Sequence, residues 1–397
     1  MSEAKTTFLS IVCLIITTSL YAAQPILPEL AADFHSSISQ MGIFMTLIFF
    51  GNGIAQVMVI PLADKYERRS LAQIFLLIGI LANIMMAFSP SIQIALFAGL
   101  LIGFYSCANM LILSFASSIT ENGRKGKVTA SIMGGVLSGI LLSRMISGSI
   151  TELYSWRAVY LVITLCLIIS SISLFLFPKS KNESNGGIAY SKLLLSITRL
   201  IRNERGLRKR MISGMSSFLV FNFLWTGLTF LLSSTPFHFD SFTIGLFGLA
   251  GISGILASKK AGSLFDRGLG EKVILYAWIL LGISWFVLMS VPIFSPYSIV
   301  GAIILLVIGI IILDTAMQAQ HITNQTFILS SYGKEESRAL TAYMSCNLLM
   351  ASVSNLITSL SYSYIQWIGI CIISIGVCIV NVFIQRKYIN IVKKPNF

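Results

Sequence analysis

The sequence predicts an all-α membrane protein whose twelve transmembrane helices form two six-helix bundles. Of its 397 residues, 55% are hydrophobic and only 11% are charged, against roughly 25% charged residues in ordinary soluble domains. Twelve apolar stretches approach the ~20 residues that a helix needs to cross a bilayer, and one loop motif occurs in both halves of the chain. This composition excludes a soluble globular enzyme. It also excludes a disordered chain, which requires low hydrophobicity.

The first apolar stretch is interpreted as a membrane helix rather than as a cleaved signal peptide. It is long, it lacks a clear small-residue cleavage site, and it ends in Gln24-Pro-Ile-Leu-Pro28. The predicted spans, numbered 1 to 12 in chain order, are 7–29, 41–62, 70–88, 92–115, 127–150, 157–177, 211–232, 242–262, 272–293, 297–322, 339–361 and 365–385.

The basic residues predict the orientation of these spans. If the N-terminus is cytoplasmic, the cytoplasmic segments hold 26 of the 28 Lys and Arg, and only Arg144 and Arg157 lie elsewhere. This is the positive-inside pattern of membrane proteins. We therefore interpret the net charge of +13 as topology and attraction to the lipid bilayer, not as nucleic-acid binding. The expected location is the bacterial inner membrane, with both termini cytoplasmic.

The sequence offers no pattern typical of a bound cofactor or metal. It has no GxxxxGK[ST] phosphate loop, so ATP is not the expected energy source. Its cysteines lie inside apolar stretches, with no CxxC pair and no histidine cluster, so we expect neither a disulfide framework nor a zinc site. The six are Cys13, Cys107, Cys166, Cys346, Cys371 and Cys378.

The longest polar stretch divides the chain. Residues 178–210 combine a Ser-Lys-Asn-Glu-Ser-Asn-Gly-Gly run with a basic amphipathic segment, a composition typical of a cytoplasmic linker with a helix on the inner leaflet. The predicted organisation is an N-terminal bundle over 1–177, the basic linker over 178–210, and a C-terminal bundle over 211–397.

A short charged loop recurs about half a chain apart and indicates an internal repeat. Asp64, followed by Arg68 and Arg69, lies 202 residues before Asp266, which is followed by Arg267. Parallel six-plus-six repeats are typical of secondary transporters. An acid flanked by bases at helix ends can cap a helix and pair across neighbouring helices. We therefore predict that these residues form a conformational latch, and the alternative is plain topology charge.

Over nearly its whole length, the sequence resembles a known family, the major facilitator superfamily. More narrowly, it is similar to a bacterial branch described as arabinose efflux permease-like. Each matching stretch is short, but their order and spacing together are specific. They are Ala23 to Pro28, Pro61 to Asp64, Glu67 to Arg69, Gly139 to Gly148, Trp156 to Ala158, Ile244 to Gly251, Asp266 to Gly268, Asp314, and Asn324-Gln325.

The resemblance implies a transporter in which helices 1, 4, 7 and 10 line the substrate path, and its branch favours export. The chain departs from the family pattern at several places. Ile60 and Glu67 stand where the loop motif has glycines, and Gly99 stands where drug-efflux relatives have an arginine tied to proton coupling. Ser143-Arg144 replaces the usual Gly-Pro pair of the helix 5 antiporter motif.

Span 10 carries the most informative polar groups inside the membrane. Asp314, Gln318, His321 and Gln325 are spaced by 4, 3 and 4 residues, which places them on one stripe of a helix. Such a stripe is expected to face a water-filled cavity or another protein surface, not lipid. We predict proton coupling by Asp314, with His321 sharing the work. The alternative is that both residues serve helix packing.

Arg144 is the second charge predicted inside the membrane. Gly135 and Gly139 of the same span form a GxxxG face that lets another helix approach closely, and Arg144 points away from that face. It can bind an anionic group of the substrate, or pair with Asp33 or Glu29. It can also extend to the outer interface.

Polar and aromatic residues on other spans complete a predicted substrate cavity. Amides beside aromatic rings suit a solute that is partly polar and partly flat, although each set alone also fits helix-to-helix hydrogen bonding. The predicted cavity residues are Tyr21, Gln24, Tyr105, Asn109, Arg144, Asn222, Trp225, Gln318, Tyr343 and Asn347.

The function predicted from the sequence is secondary active transport of a small solute across the plasma membrane by alternating access. We expect proton-coupled efflux by an antiporter that acts as a monomer, with the solute, protons and the lipid bilayer as its partners. The alternative within transport is proton-coupled uptake of a sugar or organic acid. An enzyme is disfavoured because no nucleophile lies at a recognisable spacing from a base. A channel or receptor is disfavoured by the tandem loops and the lack of an output domain.

Overall fold

The computed structural model describes residues 2–121, 124–178 and 190–393. These residues form helices and connecting loops, and no β-strand occurs among them. Twelve helical segments are long and apolar enough to cross a membrane, which confirms the predicted fold class. They are Glu3–Tyr21, Gln40–Ala63, Arg68–Ala87, Ile92–Ser118, Lys125–Leu153, Trp156–Phe175, Arg205–Ser233, Ser241–Asp266, Gly270–Phe294, Ile299–Ser331, Arg338–Tyr362 and Tyr364–Ile389.

Two spans differ most from the prediction at their C-terminal ends. Span 1 ends at Tyr21, and a separate short helix, Leu27–Asp33, follows with Pro28 in its first turn. Proline fits that position because its missing N–H would have no helical partner. Span 10 continues to Ser331, nine residues beyond the predicted end. Its polar side chains there are hydrogen-bonded within the protein, so the helix does not stop where hydrophobicity stops.

Three spans are interrupted. Span 4 consists of the helices Ile92–Tyr105 and Ala108–Ser118. Span 8 begins as Ser241–Leu246, passes through a 3₁₀ turn, and continues as Ile252–Asp266. The third is span 12, which continues from span 11 in one helical segment and is interrupted at Gln366, whose φ of 49° lies in the left-handed region. Irregular backbone at membrane depth is tolerated where protein covers it.

The first compact unit comprises residues 1–199 and 240–248. In it, span 1 packs on span 5, span 2 on span 4, and span 3 on span 6. The predicted GxxxG face is confirmed, because a Cβ on Gly135 would lie 2.1 Å from the Ser10 carbonyl oxygen and one on Gly139 would lie 2.7 Å from that of Leu14. These glycines allow the close backbone approach of spans 1 and 5.

The second compact unit comprises residues 200–239 and 249–397. Here span 7 packs on span 11, span 8 on span 10, and span 9 on span 12. The three pairings repeat those of the first unit in the same order, as expected for a parallel repeat.

The predicted linker is only partly described. Residues 179–189 lie outside the described part of the chain. The helix Tyr190–Asn203 follows, and span 7 already begins at Arg205. Leu200, near the end of the amphipathic helix, joins a buried cluster with Leu207 and Tyr343. Its C-terminal turn therefore packs on the second unit.

Candidate functional site

Arg144 lies inside the first unit, with only 2% of its surface exposed. Its Nε donates a hydrogen bond to Gln24 Oε1 at 3.1 Å, and its guanidinium carbon lies 5.8 Å from the centre of the Tyr21 ring. Three of the predicted cavity residues are therefore neighbours. The burial shows that Arg144 does not extend to the outer interface.

The two acids considered as partners of Arg144 each contact another group. Asp33 forms an ion pair with Arg157 at 2.6 Å. Glu29 contacts the Ser241 hydroxyl. Both acids lie on the short helix that follows span 1.

The remaining predicted residues of the first unit serve two different contacts. Asn109 donates to the Thr17 hydroxyl at 3.0 Å, which links span 4 to span 1 below Tyr21. Tyr105 is fully buried, and its ring lies against the span 3 backbone, where a Cβ on Gly79 would be 2.5 Å away. Asn109 is half-buried beside the Arg144 group, whereas Tyr105 is part of the helix packing.

Residues 240–248, the outer end of span 8, pack on span 5 within the first unit, and we call this the outer contact. A Cβ on Gly148 would lie 2.4 Å from the Ser241 carbonyl oxygen, and one on Gly245 would lie 2.5 Å from that of Arg144. The backbones touch because no side chains intervene. Sequence reasoning missed this contact, although the spaced glycines at 148, 245 and 248 are a usable signal.

A single hydroxyl connects the outer contact to the helix after span 1. Ser241 Oγ lies 2.7 Å from the Pro25 carbonyl oxygen and 2.5 Å from Glu29 Oε1. A carbonyl oxygen can only accept, and the hydroxyl has one hydrogen. The Pro25 bond therefore uses that hydrogen, and the Glu29 contact suits a protonated carboxyl group. Burial raises the pKa of Glu29, and the nearby charges of Glu152 and Asp240 raise it further.

The predicted stripe of span 10 lies inside the second unit. Asp314 has 4% of its surface exposed. A Cβ on Gly254 of span 8 would lie 2.6 Å from Gln318 Cγ and 3.1 Å from the Asp314 carbonyl oxygen. The upper part of the stripe is therefore in close contact with span 8.

The lower part of the stripe forms a row of hydrogen bonds. Gln325 Nε2 lies 2.8 Å from His321 Nε2, and His321 Nδ1 lies 3.1 Å from the Tyr343 hydroxyl. An amide nitrogen can only donate, so this arrangement suits a neutral imidazole with its proton on Nδ1. The His321 ring also contacts Phe218 of span 7 at 5.2 Å between ring centres.

Span 7 supplies the other predicted cavity residues of this unit. Asn222 and Trp225 are both at least 97% buried, and Asn222 donates to the Phe218 carbonyl of its own helix at 2.8 Å. Tyr343 and Asn347 of span 11 are fully buried and pack on span 7 at Gly214, where a Cβ would lie 2.4 and 2.6 Å from their side chains.

Sequence reasoning missed a second polar row on span 10. Gln320 donates to the Ser213 hydroxyl at 2.8 Å, and Asn324 donates to the same oxygen at 3.4 Å. Both amides are fully buried. Their spacing of four residues was visible in the sequence, but which face meets span 7 depends on the helix rotation.

The two predicted latch loops differ in burial. Arg68 donates to the Ala63 and Ser114 carbonyls at 3.3 Å, and the buried Arg69 donates to the carbonyls of Phe175 and Phe177 at the end of span 6. Asp266 and Arg267 are exposed. The side chain of Asp64 lies outside the described residues, and the side chain that caps span 3 is Glu67.

Comparisons with known proteins agree with this architecture. The model of the Major Facilitator Superfamily matches residues 9–353. The chain is 30% identical over 385 residues to the uncharacterized transporter YgaY of Escherichia coli O157:H7, covering 97% of this chain and 95% of that one. Its fold is similar to that of a D-xylose-proton symporter, with a TM-score of 0.78 at 11% identity over 96% of both chains.

A second solved structure has the same fold. It is a bacterial homolog of the human lysosomal transporter Spinster, with a TM-score of 0.70 at 14% identity, covering 91% of this chain and 84% of that one. The matched pairings of helices, the buried polar groups and the family model lead to one conclusion. This chain belongs to the major facilitator superfamily and is a membrane transporter, not an enzyme.

Proposed function

We propose that this protein exports a small solute across the bacterial inner membrane in exchange for protons, by alternating access. Both termini lie in the cytoplasm, as the distribution of basic residues favours. The single observation that carries the proton coupling is Asp314, a carboxyl group buried in a membrane helix above the row of Gln325, His321 and Tyr343.

A buried carboxylate in a membrane helix is costly, so its presence is by default functional. Asp314 is separated from His321 by seven residues, about 10 Å along the helix. A proton that reaches the neutral His321 from the cytoplasmic end has a polar stripe to follow toward the acid. We infer that Asp314 binds the transported proton and that His321 lies on the route without carrying the coupling itself.

Arg144 is the proposed contact for the substrate. Guanidinium groups bind carboxylates and phosphates in planar geometry, and the ring of Tyr21 and the amide of Gln24 lie beside it. We therefore propose a solute with one acidic group and a flat or apolar part. The same group favours the alternative function, proton-coupled uptake of an organic acid.

Arg144 also links substrate binding to the opening of the outer contact. Its carbonyl oxygen meets Gly245 and its Cδ lies 3.2 Å from the Cβ position of Gly248. A solute that draws the Arg144 side chain toward itself disturbs the backbone contact that closes around these glycines. We propose that the outer contact forms and breaks during each transport cycle. We also propose that Arg69, which donates to carbonyls at the end of span 6, keeps the first unit rigid during that cycle.

Export rather than uptake is supported by the likeness to efflux permeases in the stretches around Arg144 and Asp266. The test uses inverted membrane vesicles with an imposed pH gradient, acidic inside, and a panel of amphipathic acids, sugars and cationic drugs. Export by exchange predicts that one class dissipates the gradient on addition and accumulates in the vesicles. Accumulation with no change in the gradient for any class would contradict proton coupling.

A further inference from the structure

A charged cluster lies at the end of the second unit where spans 7, 9 and 12 meet. Glu271, in the first turn of span 9, accepts from Lys209 Nζ at 2.8 and 2.9 Å and also from Arg210. Gln385 of span 12 donates to the carbonyl oxygen of the same residue at 3.1 Å. One carboxylate therefore holds two cations, and the cluster keeps an excess of positive charge.

The two cations have different surroundings. The guanidinium carbon of Arg210 lies 3.6 Å from the centre of the Phe327 ring, so Arg210 is directed into the protein. Lys209 Nζ instead lies 4.3 Å from the Tyr388 ring of span 12. The Lys209 side chain, 12% exposed, thus lies between Glu271 and this ring.

Beside Lys209 there is a cavity of about 380 Å³. Its polar lining joins the ends of three spans, and two of its side chains are lysines. The cavity is lined by, among others, Lys209, Trp278, Asn381, Gln385, Lys387 and Tyr388. The exposed Lys387 offers an ammonium group to a phosphate ester, and the Lys209 ammonium, which Glu271 holds in place, lines the same cavity.

An apolar groove of about 300 Å³ continues from this cavity along spans 9 and 12. Trp278 lines both, and the groove runs past Gly282 to Phe286, about 12 Å along the helix. Its lining is otherwise aliphatic, aromatic or Cys378. A Cβ on Gly282 would meet Cys378 Cβ at 3.7 Å, an ordinary contact, so the glycine leaves open space rather than closing the helices.

We propose that this combined surface is a binding site for one anionic phospholipid, with its phosphate between Lys209 and Lys387 and one acyl chain in the groove. A basic pocket at the end of membrane helices, open to an apolar groove, matches a lipid with a charged headgroup and a hydrocarbon tail. A free anion would leave the groove unused, and a neutral lipid would leave Lys387 and the excess positive charge of the cluster unmatched. In the proposed orientation this end faces the cytoplasmic leaflet.

The test is native mass spectrometry of the full-length protein, titrated in detergent with dioleoyl phosphatidylglycerol or dioleoyl phosphatidylcholine. We expect wild type to retain the anionic lipid preferentially. Lys387→Gln lowers its apparent affinity roughly fivefold, the effect of one basic group near a lipid surface. Gly282→Leu, which fills the groove, weakens both the preference and the retention, while inorganic phosphate does not displace the lipid.

Two matched variants control for charge and for side-chain size. Lys259→Gln removes an exposed lysine elsewhere on the same unit. Gly376→Leu adds a side chain where nothing lies within 4 Å of the Cβ position. Both are expected to bind lipid as wild type does. Equal retention of the two lipids, insensitivity to Lys387→Gln and Gly282→Leu, or displacement by inorganic phosphate would each overturn the proposal.

Discussion

The two compact units bury opposite charges in different surroundings. In the first unit, Arg144 of span 5 is held by Gln24 and lies beside the glycines of the outer contact. In the second, Asp314 of span 10 lies above the neutral His321 row. The helix pairings are the same in both units, so the repeat fixes the scaffold while the polar side chains diverge.

This difference suggests a division of labour on one scaffold. A guanidinium is always charged, so it can recognise an anion but cannot exchange protons. A carboxyl group can exchange them. We therefore assign solute recognition to the first unit and proton binding to the second, and the predictions below test that division.

The largest effect is expected from Asp314→Asn. The amide cannot titrate, so solute accumulation driven by a pH gradient falls to background, while exchange of labelled for unlabelled solute continues. Uptake into vesicles under the two conditions measures both. Glu336→Gln, an exposed acid of the same unit, serves as the control. If Asp314→Asn still drives accumulation against a gradient, the proton site lies elsewhere.

Gly148→Leu tests the outer contact of the first unit. Its side chain collides with the Ser241 carbonyl, and overpacking of this kind costs about 1–3 kcal/mol. The outer contact then opens more often, and Ile244→Cys, in a background without other cysteines, reacts faster with an impermeant maleimide. Gly134→Leu, which has open space around it, leaves the rate unchanged. Equal rates in the two leucine variants would show that the contact does not close access to this face.

Arg144→Gln tests solute recognition. Losing a charge-assisted hydrogen bond of about 1.5–3 kcal/mol raises the half-saturating concentration of an acidic solute by roughly 10- to 100-fold. Arg144→Lys keeps the charge but loses the planar geometry, so it recovers only part of the loss. A solute without an acidic group is expected to be unaffected. An unchanged half-saturating concentration for the acidic solute would remove Arg144 from the binding site.

His321→Gln separates a route for protons from the proton site. Glutamine can still bond to Tyr343, so we expect the transport rate to fall about threefold to tenfold, the effect of one altered hydrogen bond, with coupling intact. Initial rates and the final accumulation ratio distinguish the two. Loss of accumulation equal to that of Asp314→Asn would assign the coupling to the imidazole.

The smallest effect is expected from Glu29→Gln. Because burial raises the pKa of Glu29 in the outer contact above its usual value near 4.5, protonation stabilises the contact. That contribution is full below the usual pKa and is lost as pH rises through the raised one. Labelling of Ile244→Cys should therefore slow as the external pH falls. In Glu29→Gln, which resembles the protonated acid, labelling stays slow at every pH, and persistence of the pH dependence would show that Glu29 is not its source.

The sequence predicted the scaffold well because its signals are local. Apolar length defines each span, and glycine spacing predicted a close helix approach at Gly135 and Gly139, although not that span 1 is the partner. Partners across helices were harder to predict, since they depend on helix rotation and on where a helix bends. Span 1 ends at Tyr21, and Asp33 on the following helix pairs with Arg157. Span 7 packs so that Ser213 contacts Gln320 rather than a residue of the predicted stripe. No local pattern could reveal Lys209 and Glu271, which are 62 residues apart.

The most direct test of the division of labour uses purified protein in liposomes with a gradient of solute and no imposed pH gradient. We expect wild type to move protons against the direction of solute flow, and a trapped pH dye reports that movement. Asp314→Asn should still exchange labelled for unlabelled solute, but without a response of the pH dye. A wild-type solute flow without any pH change, or an undiminished response in Asp314→Asn, would contradict this division of labour.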